Sequence, residues 1–155
     1  KASGLVAATH AGWKGLAKNI LHETIKAFIS SGSKVENIIV ALGPAISLAN
    51  YEVGSEVIRE IFNSTRNHNY RNNLNIDIFI DSLIQKDILD YDPNEKKYRL
   101  ELRLLAKNQL INNGILPVNI SICNLCTFSE SNSFHSWRRD HIKAVQWSTI
   151  FSQNR

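Results

Sequence analysis

The chain has 155 residues, of which 43% are hydrophobic and 21% are charged, and its formal net charge is +4. This length suits one domain with a sizeable core, and the composition excludes an intrinsically disordered chain. No apolar run reaches the roughly 18–20 residues that span a bilayer. No signal peptide opens the sequence, so we expect a cytoplasmic protein with no membrane partner.

The first third of the chain predicts alternating strands and helices. Residues 3–9 form a short apolar run that predicts a buried strand. The helical spacing of apolar residues predicts a helix from Trp13 to Ser31, with Gly32 placed to end it. Residues 37–42 are rich in β-branched side chains and predict a second buried strand, which the following Gly-Pro terminates.

The middle of the chain contains further helical patterns. Ser55 is a predicted N-cap for a helix over residues 56–64, and a polar, Asn-rich loop is predicted over residues 66–75. Residues 77–89 predict another helix, and residues 91–95 predict a turn.

The last third predicts one helix and two strands. The helix covers residues 101–113 and ends at Gly114. Alternating patterns predict strands over residues 118–123 and 143–151. Strands and helices mix without a strict βαβ rhythm, and no linker divides the chain. We therefore predict an α/β (α+β) fold over residues 1–155, a single domain with mixed β-sheet layers and flanking helices.

Positive charge is dispersed along the chain, and its densest groups are Lys96-Lys97 and Arg138-Arg139. A nucleic-acid-binding surface would show a stripe of Lys and Arg interleaved with exposed aromatic residues. The sequence shows no such stripe. We therefore expect no nucleic-acid partner and regard a basic nucleic-acid binder as the weakest functional hypothesis.

His10 follows the first predicted strand and precedes the first predicted helix. A histidine in this position can cap the helix or satisfy a buried carbonyl group. It can also bind a metal or polarise a bound anion, because backbone N–H groups are unpaired where a helix starts. Gly12 and Gly15 allow close approach of the backbone, and Trp13 can form an apolar wall. Both roles stay open from these residues.

Cys123 and Cys126 are separated by two residues, a spacing typical of thiol or metal chemistry and poor for a structural disulfide. Without a secretion signal, we expect both thiols to be reduced. His135 and His141 follow at a spacing of six residues, outside the roughly 3–5 residues usual for the second ligand pair of a closed zinc site. The pattern therefore does not favour a closed structural zinc site.

Arg138 and Arg139 could together hold a phosphate or carboxylate group through bidentate hydrogen bonds. The alternative is a surface pair that bridges to Asp140. The Gly-Pro loop after residues 37–42 lacks the lysine and the spacing of a P-loop, so nucleotide binding by that route is not supported. The loop either shapes the rim of a pocket or makes an ordinary tight connection.

Three segments, in this order, resemble the signature segments of the laccase-domain family. They are HAGWKG at residues 10–15, LGPAI with YEVG over residues 42–54, and LCTF with FHSWRRD over residues 125–140. The resemblance extends from about residue 3 to residue 151. The family is known both as multicopper polyphenol oxidase and as purine nucleoside phosphorylase, and it includes bacterial members linked to the editing of peptidoglycan precursors.

The resemblance implies a site with a divalent metal, zinc with copper as the alternative, held by two histidines and one cysteine. His10 matches the last of these ligands. The other two ligand segments, which read like Glu-Gln-Val-His and Ala-Asp-Cys, lie upstream in the family. Cys126 matches a later Cys-Thr segment instead. On this basis we assign His10 to the metal and Cys126, Arg138 and Arg139 to catalysis.

The sequence also departs from the family pattern. It contains no methionine and begins directly before a strand-like run, so we expect that an N-terminal portion is missing from it. Ser47 stands where the family usually has glycine, and Ala144-Val145 stand where many members have Gly-Arg. The absent arginine weakens any prediction of how a substrate anion is held.

Two functional hypotheses compete. In the first, the protein is a metal-dependent purine nucleoside phosphorylase (a transferase) or deaminase (a hydrolase) that acts on a small-molecule nucleoside and phosphate. In the second, it is an incomplete or split family member without independent activity, either a remnant or one that acts with a partner chain or a second copy that supplies the missing ligands. A laccase-type oxidase is discounted, because several copper sites need more than the five histidines present.

Overall fold

The computed structural model describes residues 4–68 and 75–152, except for the side chains of residues 66–68. It confirms the mixed α/β fold, with one parallel and one antiparallel sheet. The helices are α1 (Trp13–Ala17), α2 (Ile20–Ser30), α3 (Ser55–His68), α4 (Ile76–Ile84), α5 (Leu102–Asn112) and α6 (Trp137–Asp140). The strands are β1 (Val40–Leu42), β2 (Glu52–Val53), β3 (Leu89–Asp92), β4 (Lys97–Leu100) and β5 (Ile120–Ile122).

The two sheets differ in direction and position along the chain. β1 pairs with β5 in parallel, so that Val40 lies opposite Ile120 and Leu42 opposite Ile122. β2, β4 and β3 form an antiparallel sheet in that order. None of the helices in the described ranges is long and apolar enough to cross a membrane.

The hydrophobic core is built mainly by the helices α1 to α5 and the inner ends of β3 and β4. Helix α1 contacts α3, and α2 contacts α5, so the apolar face of each helix is covered by another. Burial of one large aliphatic side chain stabilises a fold by roughly 1.5–3 kcal/mol. The most deeply buried side chains are Leu16, Ile58, Ile61, Leu83, Ile88, Leu89, Leu100, Leu105 and Ile115.

The predicted helix over 13–31 is broken into α1 and α2. The break occurs at Asn19, which adopts the left-handed conformation with φ 57°. Asparagine tolerates this conformation better than most residues, so the chain can turn there at low cost. The predicted end is confirmed. Gly32 has φ +87°, its N–H donates to the Ile29 carbonyl, and the next N–H donates to the Phe28 carbonyl, which is a Schellman motif.

The middle helices form close to the predicted positions but with different ends. α3 begins at Ser55, so this residue is the first helical residue and not the N-cap. α3 extends to His68, so residues 66–68 are helical, and residues 69–74 of the predicted loop lie outside the described residues. α4 starts after Asn75, whose side-chain oxygen accepts from the Asp77 N–H at 2.7 Å.

A β-hairpin replaces the end of the predicted helix over 77–89. α4 ends at Ile84, and the chain continues into β3, which pairs with β4. The predicted turn over 91–95 is placed slightly early, because the two strands are joined by residues 93–96. Asp92 Oδ1 accepts from the N–H groups of Asn94 and Glu95, which fixes the turn. The helix over 101–113 is confirmed as α5, and Gly114 ends it with φ +89°.

The outer predicted strands are wrong where the structure describes them. Residues 4–9 and 143–151 form no strand. Their side chains are exposed, including Leu5, Val6, Val145 and Trp147. An apolar pattern becomes a strand only when a neighbouring strand accepts its backbone hydrogen bonds, and neither segment is paired in a ladder among the described residues. The predicted strands over 37–42 and 118–123 do form, but only as the shorter β1 and β5. The prediction that the first of them is buried is wrong, because Val40 and Leu42 are half-buried and Ala41 is exposed.

Candidate functional site

The parallel strands β1 and β5 place two loops side by side. Because parallel strands end at the same edge, the chain after β1 lies next to the chain after β5. The Cys123 N–H donates to the Leu42 carbonyl at 2.8 Å, and the Thr127 N–H donates to the Ala45 carbonyl at 3.1 Å. Ala45 and Cys126 form an isolated parallel bridge between these bonds. The Gly-Pro loop and the Cys-x-x-Cys loop are therefore neighbours.

A buried ion pair fixes both loops. Glu101 and Arg103 are each 8% exposed, and the Arg103 Nε and Nη2 donate to Glu101 Oε1 and Oε2 at 2.7 and 3.0 Å. Arg103 Nη1 donates to the carbonyls of Cys123 and Leu125 at 2.8 and 3.2 Å. The Leu48 N–H donates to Glu101 Oε2 at 3.0 Å. One ion pair thus holds the two loops to the start of α5.

The charges of this pair are stabilised by its hydrogen bonds. Burial alone would raise the pKa of Glu101, but the hydrogen bonds from the Arg103 side chain and the Leu48 N–H outweigh burial and hold the pKa below its ordinary value. The hydrogen bonds to Glu101 also raise the pKa of Arg103. Both groups are therefore ionised. Removing one partner of such a pair costs about 3–5 kcal/mol, because the other charge stays buried and unpaired.

Cys126 lies within a cradle of hydrogen-bond donors, formed by Ser47, Asn50 and Ser129. The Ser47 Oγ and N–H donate to the Cys126 Sγ at 3.2 and 3.3 Å, and Asn50 Nδ2 donates at 3.6 Å. Burial alone would raise the pKa of this thiol, but hydrogen bonds from Ser47 and Ser129 lower it to about 6. Cys126 is partly exposed.

Arg139 is fully occupied by the protein. Its Nε and Nη2 donate to Asp140 Oδ1 and Oδ2 at 2.7 and 2.8 Å. Nη1 donates to the carbonyls of Thr127 and Phe128, and Nη2 also donates to the Phe134 carbonyl. These bonds use all five guanidinium N–H groups. Arg139 therefore holds the segment after Cys126 in shape and has no N–H left for a ligand.

Arg138 lies at the exposed side of the same region. Its Nη1 donates to the Glu52 carbonyl at 2.8 Å, and its guanidinium carbon lies 5.1 Å from the centroid of the Tyr51 ring. No other hydrogen bond from Arg138 is present in the described part of the chain, so its remaining N–H groups are available. Residues 47–52 therefore contact Cys126 at one end and Arg138 at the other.

His10 lies outside this hydrogen-bonded group. Its side chain is exposed, and the described residues make no hydrogen bond to it. A Cβ on Gly12 would lie 3.1 Å from His10 Nε2, and one on Gly15 would lie 3.3 Å from the His10 carbonyl oxygen. Both contacts are tighter than most Cβ contacts, so the start of α1 approaches His10 closely at these two glycines.

The described residues do not by themselves form a metal site. Across residues 4–68 and 75–152, no three His, Cys, Asp or Glu side chains are grouped as metal ligands. His135 Nδ1 lies 3.5 Å from Asp140 Oδ2, and the His141 ring packs edge-on against Trp137. Both cysteines are free thiols. His10 would need two further ligands from protein outside these ranges to hold zinc or copper.

The sequence predicts site roles for Cys126 and Arg138 but assigns none to the residues that the structure places around them. Ser47 was noted only as a departure from a family pattern, and Asn50 carried no signal. Glu101 and Arg103 were assigned only to a helix, because nothing local distinguishes a buried ion pair from a solvated one. The pairing depends on contacts with residues about 20 and 50 positions away in the chain.

The sequence of this chain is similar to those of known proteins. The family model described as multi-copper polyphenol oxidoreductase laccase matches residues 1–151. A purine nucleoside phosphorylase of Synechocystis sp. is 35% identical over 155 residues, covering 95% of this chain and 56% of the relative. An adenosine deaminase from an unknown prokaryotic organism is 31% identical over 137 residues, covering 88% of this chain and 46% of the relative.

A solved structure gives the same relationship at the level of fold. The hypothetical protein YfiH of Bacillus licheniformis matches with a TM-score of 0.68 at 31% identity, covering 86% of this chain and 44% of that one. The chain therefore spans about half the length of the relatives it matches. The predicted resemblance is confirmed both in sequence and in fold.

Proposed function

This chain belongs to the multi-copper polyphenol oxidoreductase laccase family, and from that premise we propose that it carries part of a purine nucleoside phosphorylase or deaminase site. The substrates are a purine nucleoside and, for phosphorolysis, inorganic phosphate. The names of the relatives support this substrate class, since they include purine nucleoside phosphorylases and an adenosine deaminase. A cytoplasmic location is part of the same proposal.

The observation that carries the proposal is the shared segment 47–52. Its residues contact both a partly exposed cysteine and an arginine with available N–H groups. A guanidinium group matches the geometry of phosphate oxygens, so Arg138 binds phosphate. A thiolate accepts hydrogen bonds, so Cys126 receives an N–H group of the purine base. Arg139 acts through the loop it holds and is a positioning residue.

His10 is proposed as one of three metal ligands, with zinc as the metal and copper as the alternative. A single histidine cannot hold either metal tightly, because tight sites combine three or four ligands. The two other ligands therefore come from protein outside the described residues, either in the same chain or in a partner. His10 is suited to this role because it is exposed and is not committed to another described side chain.

The proposal is tested by incubating the protein with zinc and either inosine or adenosine, with and without phosphate. Chromatography then distinguishes a released base from a deaminated nucleoside. In protein that includes the segment supplying the two further ligands, we expect stoichiometric zinc, with a base released only when phosphate is present or with inosine formed from adenosine. Absence of bound metal and of both reactions in that protein, when it unfolds cooperatively, contradicts the proposal.

A second candidate is a protein that acts only together with a partner chain or a second copy. Two observations favour it: the described residues around His10 supply no further ligand, and the apolar side chains of residues 142–151 are exposed. Activity that appears only when a second polypeptide is added supports this candidate. A soluble, cooperatively folded and active monomer contradicts it, and static light scattering measures the mass.

A further inference from the structure

The donors around Cys126 outnumber what a neutral thiol needs. A thiol is a weak acceptor and has one S–H to donate. Its sulfur here receives the Ser47 Oγ and N–H at 3.2 and 3.3 Å and the Asn50 Nδ2 at 3.6 Å. Hydrogen bonding by Ser129 is a further cause of the lowered pKa of this thiol. Several donors converging on one sulfur favour the charged form, as the donors around a bound anion do.

The cradle is held in place before any ligand arrives. Asn50 Nδ2 donates to the Ser47 Oγ at 3.1 Å and to the Ser129 Oγ at 3.2 Å, which uses both of its N–H groups, so its longer 3.6 Å contact with the Cys126 Sγ shares one of them. The residues of the cradle are therefore linked to one another. The Leu48 N–H is fixed on the buried carboxylate of Glu101, which positions the loop that carries Ser47. Because these contacts already exist, stabilising a negative sulfur requires little rearrangement.

The other cysteine of the motif offers a comparison within the chain. Cys123 hydrogen-bonds through its backbone to Leu42 and Arg103, and no described side chain donates to its sulfur. The cradle is thus specific to one of the two thiols.

We infer that Ser47 and Asn50 are positioning residues that hold Cys126 as a thiolate at neutral pH, and that this anion is what the site presents to the N–H groups of its ligand. The inference rests on the proposed function only for the identity of the ligand, a purine base. The charge state of the sulfur rests on the cradle alone. Ser47 acts through Cys126 and does not itself touch the substrate.

The test is the pH profile of Cys126 alkylation by iodoacetamide, followed by mass spectrometry of the peptide. The protein carries Cys123→Ser so that one thiol remains. Only the thiolate reacts, so the rate reports the charge of the sulfur. We expect a half-maximal rate near pH 6. In Ser47→Ala the backbone N–H still donates, so we expect a midpoint higher by about one pH unit and an approximately tenfold slower reaction below it.

Ser47→Thr is the matched control, because it keeps the hydroxyl group and the backbone geometry. It should retain the original midpoint. Alkylation in denaturant, where the cradle is lost, should show a midpoint of about 8.5. Circular dichroism confirms that each variant is folded before it is compared.

A native midpoint of about 8.5, or the same midpoint in Ser47→Ala and in the parent protein, overturns the inference. The measurement needs no nucleoside, so it is independent of the proposed function. A low midpoint in a protein without nucleoside chemistry leaves the thiolate standing and overturns the proposed function. Nucleoside turnover together with an alkylation midpoint near pH 8.5 supports the proposed function and overturns the inference of a thiolate.

Discussion

Arg138 and Arg139 are adjacent in the sequence, but their guanidinium groups have opposite uses. Arg139 donates all five N–H groups to Asp140 and to three backbone carbonyls, while Arg138 uses one N–H and lies over the Tyr51 ring. Burial raises the pKa of Tyr51 and the Arg138 charge opposes that effect, so the phenol stays neutral near pH 7. One arginine is therefore structural and the other is free to bind an anion.

The first prediction separates these two arginines by their effect on stability. Arg139→Ala leaves three carbonyls and the Asp140 carboxylate without their donors, so we expect the free energy of unfolding to fall by about 2–3 kcal/mol. Arg138→Ala loses one exposed hydrogen bond and a cation–π contact, so we expect a loss of about 1 kcal/mol or less. Urea unfolding measures both. Equal losses of stability in the two variants would show that both guanidinium groups contribute equally to the fold.

The second prediction concerns the pH dependence of stability through Cys126. The folded pKa of about 6 lies below the ordinary value of about 8.5 that the thiol has in the unfolded chain. The unfolded state then holds more protons between these values, so stability rises with pH from about 6 to about 8.5 and this contribution is lost as pH falls through 6. Unfolding by guanidinium under reducing conditions should show that the free energy of unfolding rises less between pH 6 and 8.5 in Cys126→Ser than in the unmodified protein. Cys123→Ser should show the same rise as the unmodified protein.

At the scale of elements, helix ends follow from local chemistry and strands do not. Gly32 and Gly114 end their helices as predicted, because each takes a positive φ that other residues adopt at a cost. The segments 3–9 and 143–151 have strand-like patterns, but a strand also requires a partner that no local pattern specifies. The β3–β4 hairpin was missed for a related reason, since the apolar pattern before it fits a helix until β4 is available to pair.

The candidate site shows the same division between local and distant information. His10, Cys126 and Arg138 are predicted site residues because short motifs contain them. The Glu101–Arg103 pair was not found, because its role depends on the loops after β1 and β5 that it joins. The sequence also does not predict that Arg139 uses all five of its N–H groups within the protein. From the sequence alone, phosphate binding and a bridge to Asp140 are both open.

The third prediction tests the end of α2. Gly32 has φ +87°, and a Cβ added to it would meet no atom within 4 Å, so Gly32→Ala introduces backbone strain without a steric clash. We expect a loss of about 1 kcal/mol in the free energy of unfolding. Gly43→Ala is the matched control, because it also has open space and lacks the positive φ, so it should change stability by less than about 0.5 kcal/mol. A larger loss of stability in Gly43→Ala than in Gly32→Ala would contradict the assignment of the Schellman motif.

At the scale of the whole molecule, the distribution of apolar surface is uneven. The segment 142–151 exposes several large apolar side chains, with Trp147 87% and Val145 76% exposed. A contiguous exposed apolar surface commonly marks an interaction site or an aggregation hazard. The relatives are about twice as long as this chain, so their folds contain protein that has no counterpart in the described residues.

The fourth prediction follows from that surface. We expect the protein to self-associate as its concentration rises, because burying these side chains removes apolar area from water. Trp147→Lys should lower the average mass measured by static light scattering, while Lys143→Glu, an exposed change of charge on the same segment, should lower it less. A monomer at every concentration for the unmodified protein would contradict the prediction.

The central proposal is that Arg138 and Cys126, which both contact segment 47–52, bind the phosphate and the purine nucleoside of a phosphorolysis reaction. The most direct measurement is the phosphate KM for release of hypoxanthine from inosine, compared between the unmodified protein, Arg138→Ala and Arg59→Ala, an exposed arginine on α3. The account predicts phosphate-dependent release, with a KM raised about tenfold in Arg138→Ala and unchanged in Arg59→Ala. No phosphate-dependent release in the presence of zinc, or the same phosphate KM in all three proteins, would contradict it.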